Sequence, residues 1–245
     1  MSVQSETRPG PEPVDGSAGR AREAQGGPPP GILAVVVTAL FVAGLVLGTL
    51  LAGGETFPSP FGDAEGTVAY FREHGRAVQV MGALQVAAAV PLAVYAATVS
   101  ARLHRLGVRA PGATIALAGG VLASAFLTLS GLMLWVLARP ELGEAPALIR
   151  ALHQTAFAAG GPAHVAPLGL LVAGLAVPGL LAGLLPRWLA VAGLAVAGLA
   201  EISVLVLLAD GLAPVLPLAR FTALAWLVAV GFLLPVRRGR SGGVR

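Results

Sequence analysis

Residues 31–53 read GILAVVVTALFVAGLVLGTLLAG, 23 consecutive residues without an ionisable side chain. A helix rises about 1.5 Å per residue, so such a run covers the roughly 30 Å hydrocarbon core of a bilayer. The pattern recurs at 77–100, 113–137, 163–184, 188–209 and 218–236, giving six apolar runs of 19 to 25 residues. Membrane β-strands would instead be runs of about ten residues alternating apolar with polar. These runs are continuous Ala, Leu, Val and Gly, so the sequence specifies an all-α, polytopic transmembrane bundle of six helices.

Composition agrees with that reading. Of 245 residues, 56% are hydrophobic and 11% charged, against about 25% charged in soluble domains. A water-soluble enzyme, a nucleic-acid reader and a disordered chain are thereby excluded. The sequence pI is near 10.9, yet the formal net charge is only +4 and all 16 basic residues are arginines scattered between the runs. That scatter suits membrane topology better than a phosphate-binding face, and no nucleic-acid partner is expected. Cysteine is absent, which removes disulfides, thiolate metal sites and a cysteine nucleophile.

Three regions follow. Residues 1–30, rich in Pro, Gly, Glu, Arg and Ser, read as a disordered cytoplasmic tail; 31–236 as the six-helix domain; 237–245 as a basic cytoplasmic tail. The first run is too long, and lacks a small-residue cleavage site, to read as a signal peptide. Loops rich in arginine stay cytoplasmic. With both termini inside, the inner loops and the C-terminal tail hold Arg102, Arg105, Arg109, Arg187, Arg237, Arg238, Arg240 and Arg245 and no acid, while seven acids fall in the outer loops. The expectation is a multi-pass plasma-membrane protein, N-in and C-in, whose obligatory partner is the lipid bilayer. Trp135 and Trp188 would then mark opposite interfaces.

Two outer loops exceed a simple connection. Residues 54–76 contain Phe57-Pro58-Ser59-Pro60-Phe61 and an amphipathic stretch opened by Asp63, and 139–162 contain a second helical period ended by Gly160-Gly161-Pro162. Both read as short outer interfacial helices. Inside the runs, small residues line up at helical spacing: Gly44, Gly48 and Ala52; Gly120, Ser124 and Thr128; Gly179 and Gly183; Gly193 and Ala197. Such rows let helices approach closely in lipid. Pro91, Pro167 and Pro178 read as kinks.

Glu201 stands out as an ionisable group deep in a run. Gly193, Ala197 and Glu201 recur at i, i+4 and i+8, which predicts that the acid faces the bundle, away from the costly lipid. Counting from the outer ends of their runs puts Gln85 and Ser130 at the depth of Glu201, about 10–12 Å down. Gln79, Arg76, Arg139, His164 and His153 fall above them. The sharpest expectation is an outward-facing polar pocket floored by Glu201, Gln85 and Ser130; the alternative is a buried hydrogen-bonded cluster that fixes helix register.

No phosphate loop, nucleophile elbow, H-E-x-x-H or paired carboxylate is present. His74 and His164 could share a depth, as haem ligands would, but His74 falls in a loop, so no cofactor or metal is expected. The stretches Arg76-Ala-Val-Gln-Val-Met-Gly82, Val99-Ser-Ala-Arg-Leu103, Gly160-Gly-Pro-Ala-His164 and Leu185-Pro-Arg-Trp-Leu-Ala190 resemble those of actinobacterial membrane proteins in the family called domain of unknown function 4386. The resemblance covers about 31–236; it implies six membrane helices and brings no catalytic residues. The expected function is that of a binding, sensing or accessory membrane protein with a small-molecule ligand or a protein partner. A small-molecule or proton-coupled transporter is the alternative, and a membrane enzyme acting on a lipid or isoprenoid the third reading.

Overall fold

The structure, a computed structural model, describes residues 27–236; the two expected tails fall largely or wholly outside the described residues. Eight α-helices are present among them: α1 (Pro30–Leu51), α2 (Ala64–Glu73), α3 (Gly75–Arg105), α4 (Gly112–Leu137), α5 (Pro146–Gly160), α6 (Pro162–Leu181), α7 (Arg187–Ile202) and α8 (Val215–Leu233). Six segments are long and apolar enough to cross a membrane: α1, α3, α4, α5 with α6 (Pro146–Leu181), α7 with its 3-10 extension (Arg187–Leu207), and α8 with the short turn before it (Asp210–Leu233). The chain is a multi-pass integral membrane protein.

Helices α1, α3, α4, α6, α7 and α8 pack side by side in that order, and α8 returns against α1 to close a ring. A Cβ placed on Gly231 would come 2.7 Å from Gly31 Cα, so the start of α1 and the end of α8 lie at one end of the bundle. We call this the terminal end and the other the distal end.

Without a hydrophobic drive between helices in lipid, association depends on close packing. The α3–α4 contact is made by two glycines: a Cβ on Gly82 would sit 2.6 Å from the Gly131 carbonyl oxygen, and one on Gly131 would sit 2.7 Å from that of Gly82. Gly119 and Gly174 bring α4 and α6 together in the same way. Of the rows read from the sequence, Gly44 and Gly48 face Leu84 and Met81 of α3, Gly120 faces Ala96, and Gly193 faces Trp226. Gly183 has a different role, turning the chain after α6 with φ +64°.

The interior is filled unevenly. Towards the terminal end, Leu92, Tyr95, Leu103, Leu168, Leu171 and Leu175 are fully buried. Tyr95 donates across the ring to the Leu227 carbonyl at 3.0 Å, Arg102 to Leu234 at 3.2 Å, and Trp226 to Leu189 at 2.8 Å. Towards the distal end the walls differ in height. α7 ends at Ile202 and passes through two 3-10 turns, Ser203–Leu207 and Asp210–Leu212, into α8. The first turn of α8 lies beside Gly161 through Leu216, and the adjoining Gly160 lies against Ser130. Ser130 is seven residues below the end of α4, so the α7–α8 corner stops about 10 Å short of the α4 rim.

α5 and α6 form one bent crossing. Ile149 shares a small cleft with Leu137, and Ser130 donates to the Ala156 carbonyl at 3.0 Å, so α5 descends along the distal half of α4. The second outer helix of the sequence is thus also the distal limb of the fourth crossing. The helix breaks at Gly161 (φ −86°, ψ −108°) because Pro162 has no N–H to continue the ladder. The other outer helix, α2, is capped by Asp63, whose side chain accepts from Gly66 N–H at 2.6 Å.

Gly131→Ala is expected to strain the α3–α4 contact by about 1–3 kcal/mol, lowering the thermal midpoint measured in one detergent at one scan rate. Gly198→Ala, where a Cβ would meet nothing within 4 Å, should leave it unchanged or raise it slightly.

Candidate functional site

The height mismatch leaves a cavity of about 420 Å³ in the distal half of the ring, within the range of small-molecule pockets, roughly 300–1,000 Å³. Phe41 and Leu45 of α1, Met81 and Gln85 of α3, Leu127, Ser130 and Leu134 of α4, and Leu216, Pro217 and Arg220 of α8 form its walls. The C-terminal half of α5 contributes His153, Ala156, Phe157 and Gly160, and the loop after α1 contributes Phe57, Pro58 and Pro60.

That loop is held over the cavity by edge-to-face aromatic contacts, which favour centroid separations of about 4.5–7 Å. Phe57 meets Tyr70, Phe71 and His153 at 5.9, 5.7 and 5.4 Å, and Phe61 meets Phe157 at 5.3 Å. The wall is largely apolar, with a few polar groups set into it. Three of its buried polar atoms have no hydrogen-bond partner: Gln85 Oε1, His153 Nε2 and Arg220 Nε. Unsatisfied buried groups are costly, so they mark where a site is incomplete without solvent or ligand.

Arg220 owes its position to the break in the fourth crossing. The His164 and Val165 amides both turn to the Gly161 carbonyl, which leaves the Gly160 carbonyl without a helical donor. Arg220 Nη2 donates to that carbonyl, and the guanidinium lies 5.0 Å from the centroid of the Phe41 ring. Arg220 is the cavity-lining cation missing from the pocket read from the sequence. Its signal was available: it is the third residue of the apolar run 218–236.

The residues expected in the pocket divide. Gln85 and Ser130 line one cavity: a Cβ on Gly131 would come 3.2 Å from Gln85 Cβ. His153 also lines it and is 2% exposed. His164 does not; it is buried one turn beyond the break, with Nδ1 2.8 Å from the Ala123 carbonyl, tying α6 to α4. Gln79 and Arg76 are exposed on α3, and Arg139 is exposed with its guanidinium 3.8 Å above the Trp135 ring.

Glu201 requires a correction on two counts. Its side chain is exposed on the bundle surface at the edge of the α6–α7 contact, where a Cβ on Gly169 would come 2.6 Å from Ala200 Cβ and 3.5 Å from Glu201 Oε1. At 3.6 residues per turn, i+8 lies about 80° round the helix from i, so the stripe that buries Gly193 and Ala197 has rotated off the contact by Glu201. Its depth also differs. Gly169 belongs to the α6 turn that packs on Gly119, and Ser130 is eleven residues further along α4, about 16 Å. The floor of the cavity is therefore made by other residues.

Burial first, and the nearby Glu55 carboxylate second, raise the Tyr70 hydroxyl above the usual tyrosine value near 10. The folded protein holds that proton where the unfolded chain has released it. The associated stability is present below about pH 10 and declines as pH rises through and beyond it. Tyr70→Phe should abolish this component of the alkaline fall in thermal midpoint, and because the buried hydroxyl has no partner, it should cost less than about 1 kcal/mol at neutral pH.

No family model, no curated protein and no solved structure matches this chain.

Proposed function

We propose that the chain is a membrane binding protein of sensing or accessory role, whose distal cavity holds a single-tailed amphiphile. The observation that carries this reading is an apolar, aromatic-walled space of about 420 Å³ into which buried polar atoms without partners are set. Pockets that bind small organic molecules combine largely apolar walls with a few fixed polar groups that orient the ligand. An alkyl chain would lie against Phe41, Leu45, Met81, Leu127 and Leu134, and a polar head would meet Gln85, His153 and Arg220.

In this reading the distal end faces outward from the plasma membrane. The connections at the terminal end carry Arg102, Arg105, Arg109 and Arg187 without an acid, while the acids of the distal loops gather opposite. The proposed kinship over residues 31–236 with the family called domain of unknown function 4386 bears on the six-helix frame and carries no activity.

A transporter is the second reading, favoured by the break at Gly160-Gly161-Pro162, since discontinuous helices surround the sites of many transporters. Against it stands the terminal half of the ring, closed by Tyr95, Arg102 and the leucines around them. Uptake of decanol-sized amphiphiles into sealed proteoliposomes separates transport from binding.

Radiolabelled decanol should bind saturably to the protein in phosphatidylcholine nanodiscs, beyond its partition into empty discs. Ala213 lines the cavity from the turn before α8, and Ala213→Trp, which adds a large ring there, should abolish that component with little change in thermal midpoint. Glu201→Gln, outside the cavity, should leave it within about twofold. Binding that is indifferent to Ala213→Trp would overturn the assignment.

A further inference from the structure

We infer that the occupant of the distal cavity carries an anionic head, recognised by Arg220; this inference rests on the binding function proposed above. Arg220 lies on an apolar helix, packed against Phe41 and turned to the cavity that it lines. Among the described residues no carboxylate pairs with it: its recorded partner is the neutral Gly160 carbonyl, and Nε is buried without any.

A cation removed from water is costly unless it is paired, and inside membrane helices arginines pair with acids or backbone carbonyls, or line water-filled and ligand pathways. Two acids of the described residues show where the negative charge lies instead. Glu55 is with His74 at 3.2 Å in the distal loops, and Glu201 is on the surface about 16 Å below the level of Ser130 along α4. A guanidinium bound on one edge to a backbone carbonyl keeps its remaining donors for a second acceptor. Its planar fork suits a carboxylate, sulfate or phosphate.

The groups around it extend the same chemistry. Ser130 and the Gln85 amide share the wall with it, and His153, whose ring bonds the Pro58 backbone, sets its unpartnered Nε2 beside them between Phe57 and Phe71. The remainder is aliphatic and aromatic, which excludes a free inorganic anion as the natural fit and asks for a hydrocarbon tail. A volume of about 420 Å³ accommodates one alkyl chain and not the two of a bilayer phospholipid. The class is a single-tailed anionic amphiphile.

Displacement of radiolabelled decanol by decyl sulfate, decyltrimethylammonium and unlabelled decanol in phosphatidylcholine nanodiscs isolates the head group, because the first two have charges that do not titrate. Decyl sulfate should displace about tenfold better than decanol, and the cation worst. Arg220→Met should bring sulfate and alcohol to equal potency with decanol binding retained, and Arg220→Lys should restore part of the preference. Should Arg220→Met fail to fold, the wild-type ranking of the three heads decides alone. Equal potency of all three would overturn the anionic head while leaving the binding function in place; absence of saturable decanol binding would remove the binding function itself. Repeating the displacement in discs containing phosphatidylglycerol tests the source: unchanged potency supports the free single-tailed ligand, and competition by that lipid overturns it.

Discussion

In lipid, every backbone carbonyl and amide must be satisfied within the protein, and this requirement shapes the fourth crossing. Gly161 and Pro162 interrupt the ladder of the longest membrane segment, Pro146–Leu181, and leave the Gly160 carbonyl without a helical donor. A donor has to come from outside that helix. Arg220 supplies it from α8, so the break in one crossing and the charge in another are two halves of one contact. The same contact draws the start of α8 to the level of Ser130, and the low α7–α8 corner follows from it.

The result is a ring with different interiors at its two ends. Near the termini, long side chains reach across to carbonyls on the opposite wall: Tyr95 to Leu227 and Arg102 to Leu234. Tyr95 spends its hydroxyl on a backbone acceptor, Arg102 gives one guanidinium N–H to another and keeps Nε without a partner, and the surrounding leucines fill the remaining volume. In the distal half the glycine pair Gly82 and Gly131 draws α3 and α4 together, but the bent fourth crossing and the short α7–α8 corner leave the space between them open. The lid of Phe57, Pro58 and Pro60 covers it without filling it.

Fold class was legible because it depends on run length alone: a stretch of about 20 uncharged residues has few alternatives to crossing a bilayer. Gln85 and Ser130 were legible as neighbours because α3 and α4 are adjacent and antiparallel, with glycines fixing their register. Glu201 was not. Counting inward from a loop assumes that all loops lie at one level, and the α7–α8 corner lies about 10 Å below the α4 rim. A small-residue stripe continued for two turns also drifts by about 80°, enough to carry a side chain from the contact to the surface. Arg220 was hidden by its place near a run's end, where arginine reads as an interfacial anchor; its burial depends on the distant break at Gly161.

The balance of charge follows from these placements. A surface carboxylate on α7 and a part-buried guanidinium on α8 would neutralise one another if they met, yet they occupy different faces and different depths of the ring. The guanidinium already satisfies one carbonyl, and that bond compensates dipole, not charge. A cation kept beside a largely apolar space, with no carboxylate of the described residues paired to it, is the asymmetry on which the proposed anionic head rests. The helical break fixes where that cation sits: the Gly160 carbonyl, freed by the break, holds the arginine at the cavity wall by one of its N–H groups.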